Sequence, residues 1–159
     1  MPFKTTDLYD EHLENLQVAA PIFRDFGGKT RFHGQIVTLK TVDDNTFLKS
    51  SFEQDGRGKV LVVDASGSTR CAMMGDVMAA LGAANGWEGI VLHGCIRDSA
   101  DVAKVDIGVK ALATTPRKTV KRNQGVLDIP VHFADVDFLP GHFLYADEDG
   151  IVLSKCALV

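Results

Sequence analysis

Two apolar periods run along this chain, and the switch between them marks its elements. Over residues 7–20, DLYDEHLENLQVAA, Leu8, Leu13, Leu16 and Ala20 recur at roughly helical spacing. Thr6 or Asp7 can cap the start and Pro21 forces a stop, which predicts a first helix. The double glycine Gly27-Gly28 reads as a turn, and QIVTLKT (35–41) as a β-branched strand. Polar DDNT then separates this strand from a short helical or extended piece between Phe47 and Phe52.

The centre of the chain changes to continuous apolar runs. GKVLVVDAS, starting near Lys59, is a strand of the kind buried on both faces of a parallel sheet. A loop, GSTRCAMMG, leads into a helix, DVMAALGAANG, with Asp76 at its entry and Gly86 at its exit. GIVLHG is a second buried strand. The loop CIRDSADVAKVDIG follows, with a short helix over 99–105, and VKALATT is a third strand. Strand and helix alternating at this spacing imply right-handed βαβ crossovers and a parallel core. PRKTVKRNQGVLD is polar, aperiodic and predicted to be a loop. The remainder, IPVHFADVDFLPGHFLYADEDGIVLS, gives short alternating strands with turns at Pro140-Gly141 and Asp149-Gly150. The class implied is α/β, a parallel βαβ core with an added antiparallel β layer, in a single domain over 1–159.

Composition narrows the function. With 45% hydrophobic and 24% charged residues the chain is an ordinary globule, and disorder or a coiled-coil rod is excluded. Seventeen Lys and Arg against 21 Asp and Glu give a net charge of −4, which argues against nonspecific nucleic-acid binding. The apolar runs are well short of the ~20 residues needed to span a bilayer, and the acidic, polar start does not read as a signal peptide. Three cysteines, Cys71, Cys95 and Cys156, without CxxC spacing suggest neither a disulfide framework nor a zinc site, and a cytoplasmic location is expected.

In open α/β sheets, ligands collect beyond the carboxyl ends of the parallel strands. One such end carries Gly75-Asp76-Val77-Met78 at the start of a helix, where unpaired N–H groups and the helix dipole attract an anion. The purely structural alternative is that Asp76 caps the helix. The next strand end carries Cys95-Ile96-Arg97-Asp98. Arg97 can hold a carboxylate or a developing enolate, and Asp98 can ligate a hard divalent cation such as Mg²⁺. Here the structural alternatives are a surface ion pair, or Asp98 as a cap of the following helix. One βαβ unit brings both loops to the same edge of the sheet. The constellation therefore fits a small 2-keto acid chelated to Mg²⁺, with its carboxylate on backbone amides. The five histidines lack HExxH or H-x3-H spacing, and His93, Cys71 and Cys95 are read as packing residues. The basic cluster Arg117, Lys118, Lys121 and Arg122 is read as a solvated loop, with attraction of a dianionic substrate or a protein partner as the alternative. No lysine falls in the two strand-end loops, which disfavours Schiff-base chemistry.

GKVLVVDASGSTRCAMMGD, NGWEGIVLHGCIRDSADV, DIGVKALATTPRK and FLYADEDGIVLS together resemble the RraA-like family (regulator of ribonuclease E activity A) over nearly the whole chain. Within it, the chain is similar to the 4-hydroxy-4-methyl-2-oxoglutarate aldolases, whose Asp, twenty intervening residues and Arg-Asp are matched by Asp76 and Arg97-Asp98. The resemblance implies a compact α/β/β sandwich like the swivelling phosphohistidine domains. It further implies a homotrimer or a dimer of trimers with sites near subunit interfaces. For function it implies a class II pyruvate aldolase that also decarboxylates oxaloacetate. Gly75 to Met78 and Arg97 would bind the 2-keto acid. Asp98 would hold Mg²⁺ or Mn²⁺, with Asp76 as a water-mediated partner, and Arg97, Asp98 and Asp76 would be the catalytic set. The alternatives are a nonenzymatic regulator of ribonuclease E or an associated helicase, which the presence of Arg97-Asp98 disfavours, and a phosphate- or nucleotide-binding module.

Overall fold

Residues 2–159 are described by the computed structural model. Its helices are α1 (Thr5–His12), followed by a 3-10 turn (Leu13–Asn15), α2 (Thr46–Phe52), α3 (Asp76–Ala84) and α4 (Ser99–Val102). The strands of the first half are β1 (Leu16–Val18), β2 (Arg24–Asp25), β3 (Phe32–Lys40), β4 (Lys59–Met74) and β5 (Gly89–Ile96). Those of the second half are β6 (Gly108–Ala111), β7 (Ala113–Thr114), β8 (Val126–Leu127), β9 (Val131–Phe133), β10 (Val136–Phe138), β11 (Phe143–Asp147) and β12 (Gly150–Ser154).

The main sheet runs β1-β12-β11-β3-β4-β5-β6-β2, with β7 beside β5 and β8 beside β3, while β9 and β10 form a separate hairpin. Strands β3 to β6 are parallel to one another, and β11, β12 and β1 on one side and β2 on the other add the antiparallel part. The continuous apolar runs are explained by burial on both faces. Leu61, Val63, Ile90 and Leu92 pack with Leu48 and Phe52 of α2 and Ala79 of α3. The alternate residues Val60, Val62 and Val91 pack instead with Phe133, Val136, Phe138 and Leu144. This is an α/β/β arrangement, and each fully buried aliphatic side chain in it contributes about 1.5–3 kcal/mol. Stability sits in these layers, which leaves the strand-end loops free for chemistry. Among the described residues no helix is long and apolar enough to cross a membrane.

Four local expectations are corrected. The first helix does not reach Ala20: it ends at His12, and Leu16–Val18 pairs antiparallel with Val152–Ser154 of β12. Leu16 and Ala20 satisfy a helical period, but the unpaired edge of β12 offers that segment backbone hydrogen bonds. The stretch read as a loop before α3 remains in the sheet, as β4 runs on to Met74 with register shifts after Asp64, Ser68 and Ala72. The shifts absorb the surplus residues while returning Met74 to a position opposite Ile96. VKALATT is split into β6 and β7, both beside β5, and the helix expected over 99–105 is confined to Ser99–Val102.

Candidate active site

Because β4 and β5 are parallel neighbours, the two loops leaving their carboxyl ends lie side by side. Met74 stands opposite Ile96, and the Arg97 N–H donates to the Met74 carbonyl at 2.9 Å. This stitch places the start of α3 against Arg97-Asp98, as the βαβ reading required.

At the start of α3 the cap residue is Gly75, in extended backbone, and no side chain caps the helix. Asp76 is the first helical residue, so the capping alternative for its carboxylate does not hold. The first intrahelical bond that α3 closes runs from the Ala79 N–H to the Gly75 carbonyl. The N–H groups of Gly75, Asp76, Val77 and Met78 precede it and point out of the helix end. They carry the positive end of the α3 dipole.

Asp98 adopts the left-handed conformation, φ 54° and ψ 40°, a region that tolerates Asp better than most residues. Its backbone carbonyl accepts from the Asp101 and Val102 N–H groups at 3.0 and 2.9 Å, but its carboxylate makes no cap to α4. The second alternative, a structural ion pair, is equally weak. Arg97 Nε lies 3.8 Å from Asp98 Oδ2, beyond hydrogen-bond range, with the two side chains 41% and 44% exposed. Guanidinium and carboxylate are thus adjacent but uncommitted.

These groups line one cleft of about 410 Å³, which gathers Gly75, Asp76, Val77, Met78, Arg97 and Asp98. All six residues singled out from the sequence meet there. A second cleft of about 490 Å³ beside Trp87 lacks such a set, since its Asp55 is already locked in a fork with Arg57 at 2.8 and 3.0 Å.

The cleft also holds Asn45 and Lys49, from the start of α2 and its body, which sequence reasoning missed, and Lys118 of the basic cluster, from the segment after β7. The basic segment, read as a solvated loop with attraction of a dianionic substrate or a protein partner as the alternative, thus sends one of its cations to the cleft. The segment is laid along β4, where the Ala72 N–H donates to the Arg117 carbonyl at 2.6 Å and Ala72 bridges to Lys118. Lys121 Nζ donates to Asn45 Oδ1 at 2.8 Å, and Asn45 Nδ2 donates to the Met73 carbonyl at 3.0 Å. The absence of lysine from the two strand-end loops therefore does not mean absence from the cleft.

The anchor of this wall is Asp44, fully buried. It accepts from the Thr46 N–H and hydroxyl through Oδ1, and from the Arg122 and Gln124 N–H groups through Oδ2. Burial alone would raise its carboxyl pKa, but these hydrogen bonds overcome burial and hold it at about 2. The packing residues lie elsewhere. The His93 ring stacks on Phe133 with centroids 4.8 Å apart. Burial, aided by the neighbouring Asp43 carboxylate, pushes the Cys71 thiol up to about 11, and burial likewise raises Cys95. Neither is a nucleophile at neutral pH.

Among the described residues no three His, Cys, Asp or Glu side chains converge as a metal-binding group. A closed, zinc-type site is not built here. Mg²⁺ makes a smaller demand, because it keeps several waters and binds through one or two carboxylates plus substrate oxygens. The uncapped Asp98 and Asp76 carboxylates in a common cleft fit that donor set.

Comparison with known proteins agrees with this picture. The family model described as RraA-like, Aldolase/RraA, matches residues 5–153. A protein of Alkalilimnicola ehrlichii, provisionally named 4-hydroxy-4-methyl-2-oxoglutarate aldolase, is 50% identical over 100% of this chain and 99% of its own length. A protein of Dechloromonas aromatica with the same provisional name is 52% identical over 99% of each chain. Among solved structures, one described as an S-adenosylmethionine:2-dimethylmenaquinone methyltransferase from Geobacillus kaustophilus superimposes with a TM-score of 0.96 at 41% identity, covering 98% of this chain and 97% of its own. The RNA-processing inhibitor RraA from Thermus thermophilus does so with a TM-score of 0.95 at 40% identity, covering 100% and 98%.

Proposed function

The chain belongs to the RraA-like, Aldolase/RraA family, and we propose that within it the protein is a lyase. It is a divalent-metal-dependent aldolase that cleaves 4-hydroxy-4-methyl-2-oxoglutarate to pyruvate and decarboxylates oxaloacetate through the same enolate. The observation that carries this reading is the convergence of an uncapped helix start, a guanidinium and two uncommitted carboxylates in one cleft.

The roles follow from charge and position. The N–H groups of Gly75 to Met78 hold the C1 carboxylate of the 2-keto acid at the positive end of α3. Asp98, with Asp76 as a water-mediated partner, would hold Mg²⁺ or Mn²⁺. The cation, when bound, supplies Lewis-acid polarisation of the 2-keto group. Arg97 supplies a fixed positive charge where negative charge accumulates on the keto oxygen.

In the aldol cleavage the C4 hydroxyl loses its proton and the C3–C4 bond breaks. Its electron pair becomes the enolate of the first pyruvate, and C4 becomes the keto carbon of the second. In oxaloacetate the same bond breaks with CO₂ as the neutral fragment. In both reactions the enolate is protonated at C3. Retro-aldol cleavage and decarboxylation are one electron-pair movement with two leaving groups, so one set of residues serves both.

The assembly we propose is a homotrimer or a dimer of trimers in the cytoplasm. All three cysteines are free, which suits a reducing compartment.

The deciding experiment is a pyruvate-release assay on 4-hydroxy-4-methyl-2-oxoglutarate and oxaloacetate with added Mg²⁺. Turnover of both supports the reading. Turnover of neither would favour the second reading, a nonenzymatic regulator of ribonuclease E or an associated helicase, which rests on the 40% identity to the Thermus RNA-processing inhibitor.

A further inference from the structure

The cleft carries more positive charge than the chemistry at C2 and C3 uses. Lys49, Arg97 and Lys118 line it against the carboxylates of Asp76 and Asp98. Arg97 has Asp98 as its neighbour, whereas neither Lys49 nor Lys118 lies in an ion pair among the described residues. Lys29, Lys40, Lys104 and Lys110 each have an acidic partner within 4 Å, at 3.2, 3.7, 3.7 and 3.1 Å. Lys4, Lys59, Lys121 and Lys155 have none either, but they lie outside the cleft, so what distinguishes Lys49 and Lys118 is being unpaired and lining it.

The two lysines also arrive from a different part of the fold. Arg97 and Asp98 end β5, but Lys49 belongs to α2 and Lys118 to the segment bridged to Ala72 of β4. That wall is braced on purpose-built contacts. Asn45 bonds to Met73 and Lys121, and the Asp44 carboxylate ties the start of α2 to the backbone of residues 122 and 124. Two exposed, unpaired cations thus reach the cleft from α2 and the segment at residue 118, while the α3 start and Arg97 reach it from the ends of β4 and β5.

We infer that Lys49 and Lys118 form a subsite for the second carboxylate of the substrate, the one on the fragment that leaves. The inference rests on the aldolase reading and adds a specificity to it. In 4-hydroxy-4-methyl-2-oxoglutarate this carboxylate stays an anion from substrate to product, so cations that hold it bind and orient the leaving fragment throughout. In oxaloacetate the corresponding carboxylate is itself the leaving group and must shed its charge to become CO₂. Cations gripping it stabilise the ground state more than the transition state and give no rate advantage. The lysine pair therefore selects for aldol cleavage over decarboxylation.

The test compares Lys49→Met and Lys118→Met with wild type on both substrates in the same preparations. Loss of a charge-assisted contact lowers the ratio of kcat/KM for aldol cleavage to that for decarboxylation by about 10- to 100-fold, with KM of the aldol substrate carrying most of the change. Arginine at either position should restore most of the ratio, since it keeps the charge. Calorimetric binding of 2-oxoglutarate against pyruvate provides a readout that needs no turnover. Wild type should prefer the dicarboxylate, and each methionine variant should lose that preference by the same factor. An unchanged ratio in both variants, or a wild type that binds 2-oxoglutarate no more tightly than pyruvate, overturns the inference. If wild type turns over neither substrate the aldolase reading fails, and the two affinities still decide the lysines separately.

Discussion

A Cβ placed on Gly75 would lie 2.6 Å from Oδ2 of Asp98. The backbone at residue 75, with φ −128°, is open to any amino acid, so glycine is needed for the approach and not for the torsion. The Asp98 carboxylate occupies the space that any other side chain would take. Gly75→Ala should therefore push that carboxylate off its position while leaving the core intact. Because displacements of this size cost catalysis heavily, kcat/KM on both keto acids should fall by about 10²-fold. The midpoint of a urea melt should barely move. A variant with wild-type turnover would show that the Asp98 position is not critical.

Turnover should depend on a divalent cation. The oxygen donors Asp98 and Asp76 suit Mg²⁺ or Mn²⁺ and not a zinc-type His/Cys set. Dialysis against EDTA should abolish pyruvate release from oxaloacetate, and Mg²⁺ should restore it. Full activity in chelator would refute the role given to Asp98.

Arg97 and Asp98 should fail in different ways. Arg97→Ala removes positive charge from the developing enolate and from the bound carboxylate, so kcat and KM both suffer. The expected loss is on the order of 2–4 kcal/mol, about 10²- to 10³-fold in kcat/KM. Arg97→Lys should recover little, since the planar fork is lost. Asp98→Asn is the better probe at its position, because asparagine also tolerates the left-handed backbone found there. Its defect should shrink as Mg²⁺ is raised, whereas that of Arg97→Ala should not. Equal rescue of both variants would show that the two side chains do not divide the work in this way.

What could be read in advance follows from which interactions are local. Strands β4 and β5 were legible because burial on both faces leaves an uninterrupted apolar run. The meeting of Asp76 and Arg97-Asp98 in one cleft was legible because parallel neighbouring strands bring their carboxyl ends together, which needs only the strands to be recognised. The strand Leu16–Val18 was not, since its partner Val152–Ser154 lies at the other end of the chain and its own residues also fit a helix. Lys49 carried no local mark, and Lys118 was marked only as one of four cations in a basic run, with nothing to say which of them reaches the site. Their presence in the cleft depends on α2 and the segment at residue 118 being packed against the end of β4. Asp44 was hidden for a related reason: DDNT has the composition of a solvated turn, yet one of its aspartates is fully buried and serves backbone donors far along the chain.

That buried carboxylate gives the protein a specific acid sensitivity. Asp44 is held at about 2 in the folded state, against an unfolded value of about 3.9. A depressed folded pKa means that the unfolded chain takes up the proton first as pH falls. The stabilisation is therefore fully present above pH ~4 and is lost as pH drops towards ~2, with a size of about 2 kcal/mol. Asp44→Asn should cost the protein a similar amount at pH 7, measured by urea unfolding, and the gap to wild type should close at about pH 2. Because the same carboxylate ties residues 122 and 124 to the start of α2, the variant should also loosen the wall carrying Lys118. At pH 7 its kcat/KM for 4-hydroxy-4-methyl-2-oxoglutarate should fall more than its kcat/KM for oxaloacetate. A stability gap that persists undiminished at the acid end would mean that the asparagine disturbs packing and not a charged hydrogen-bond acceptor.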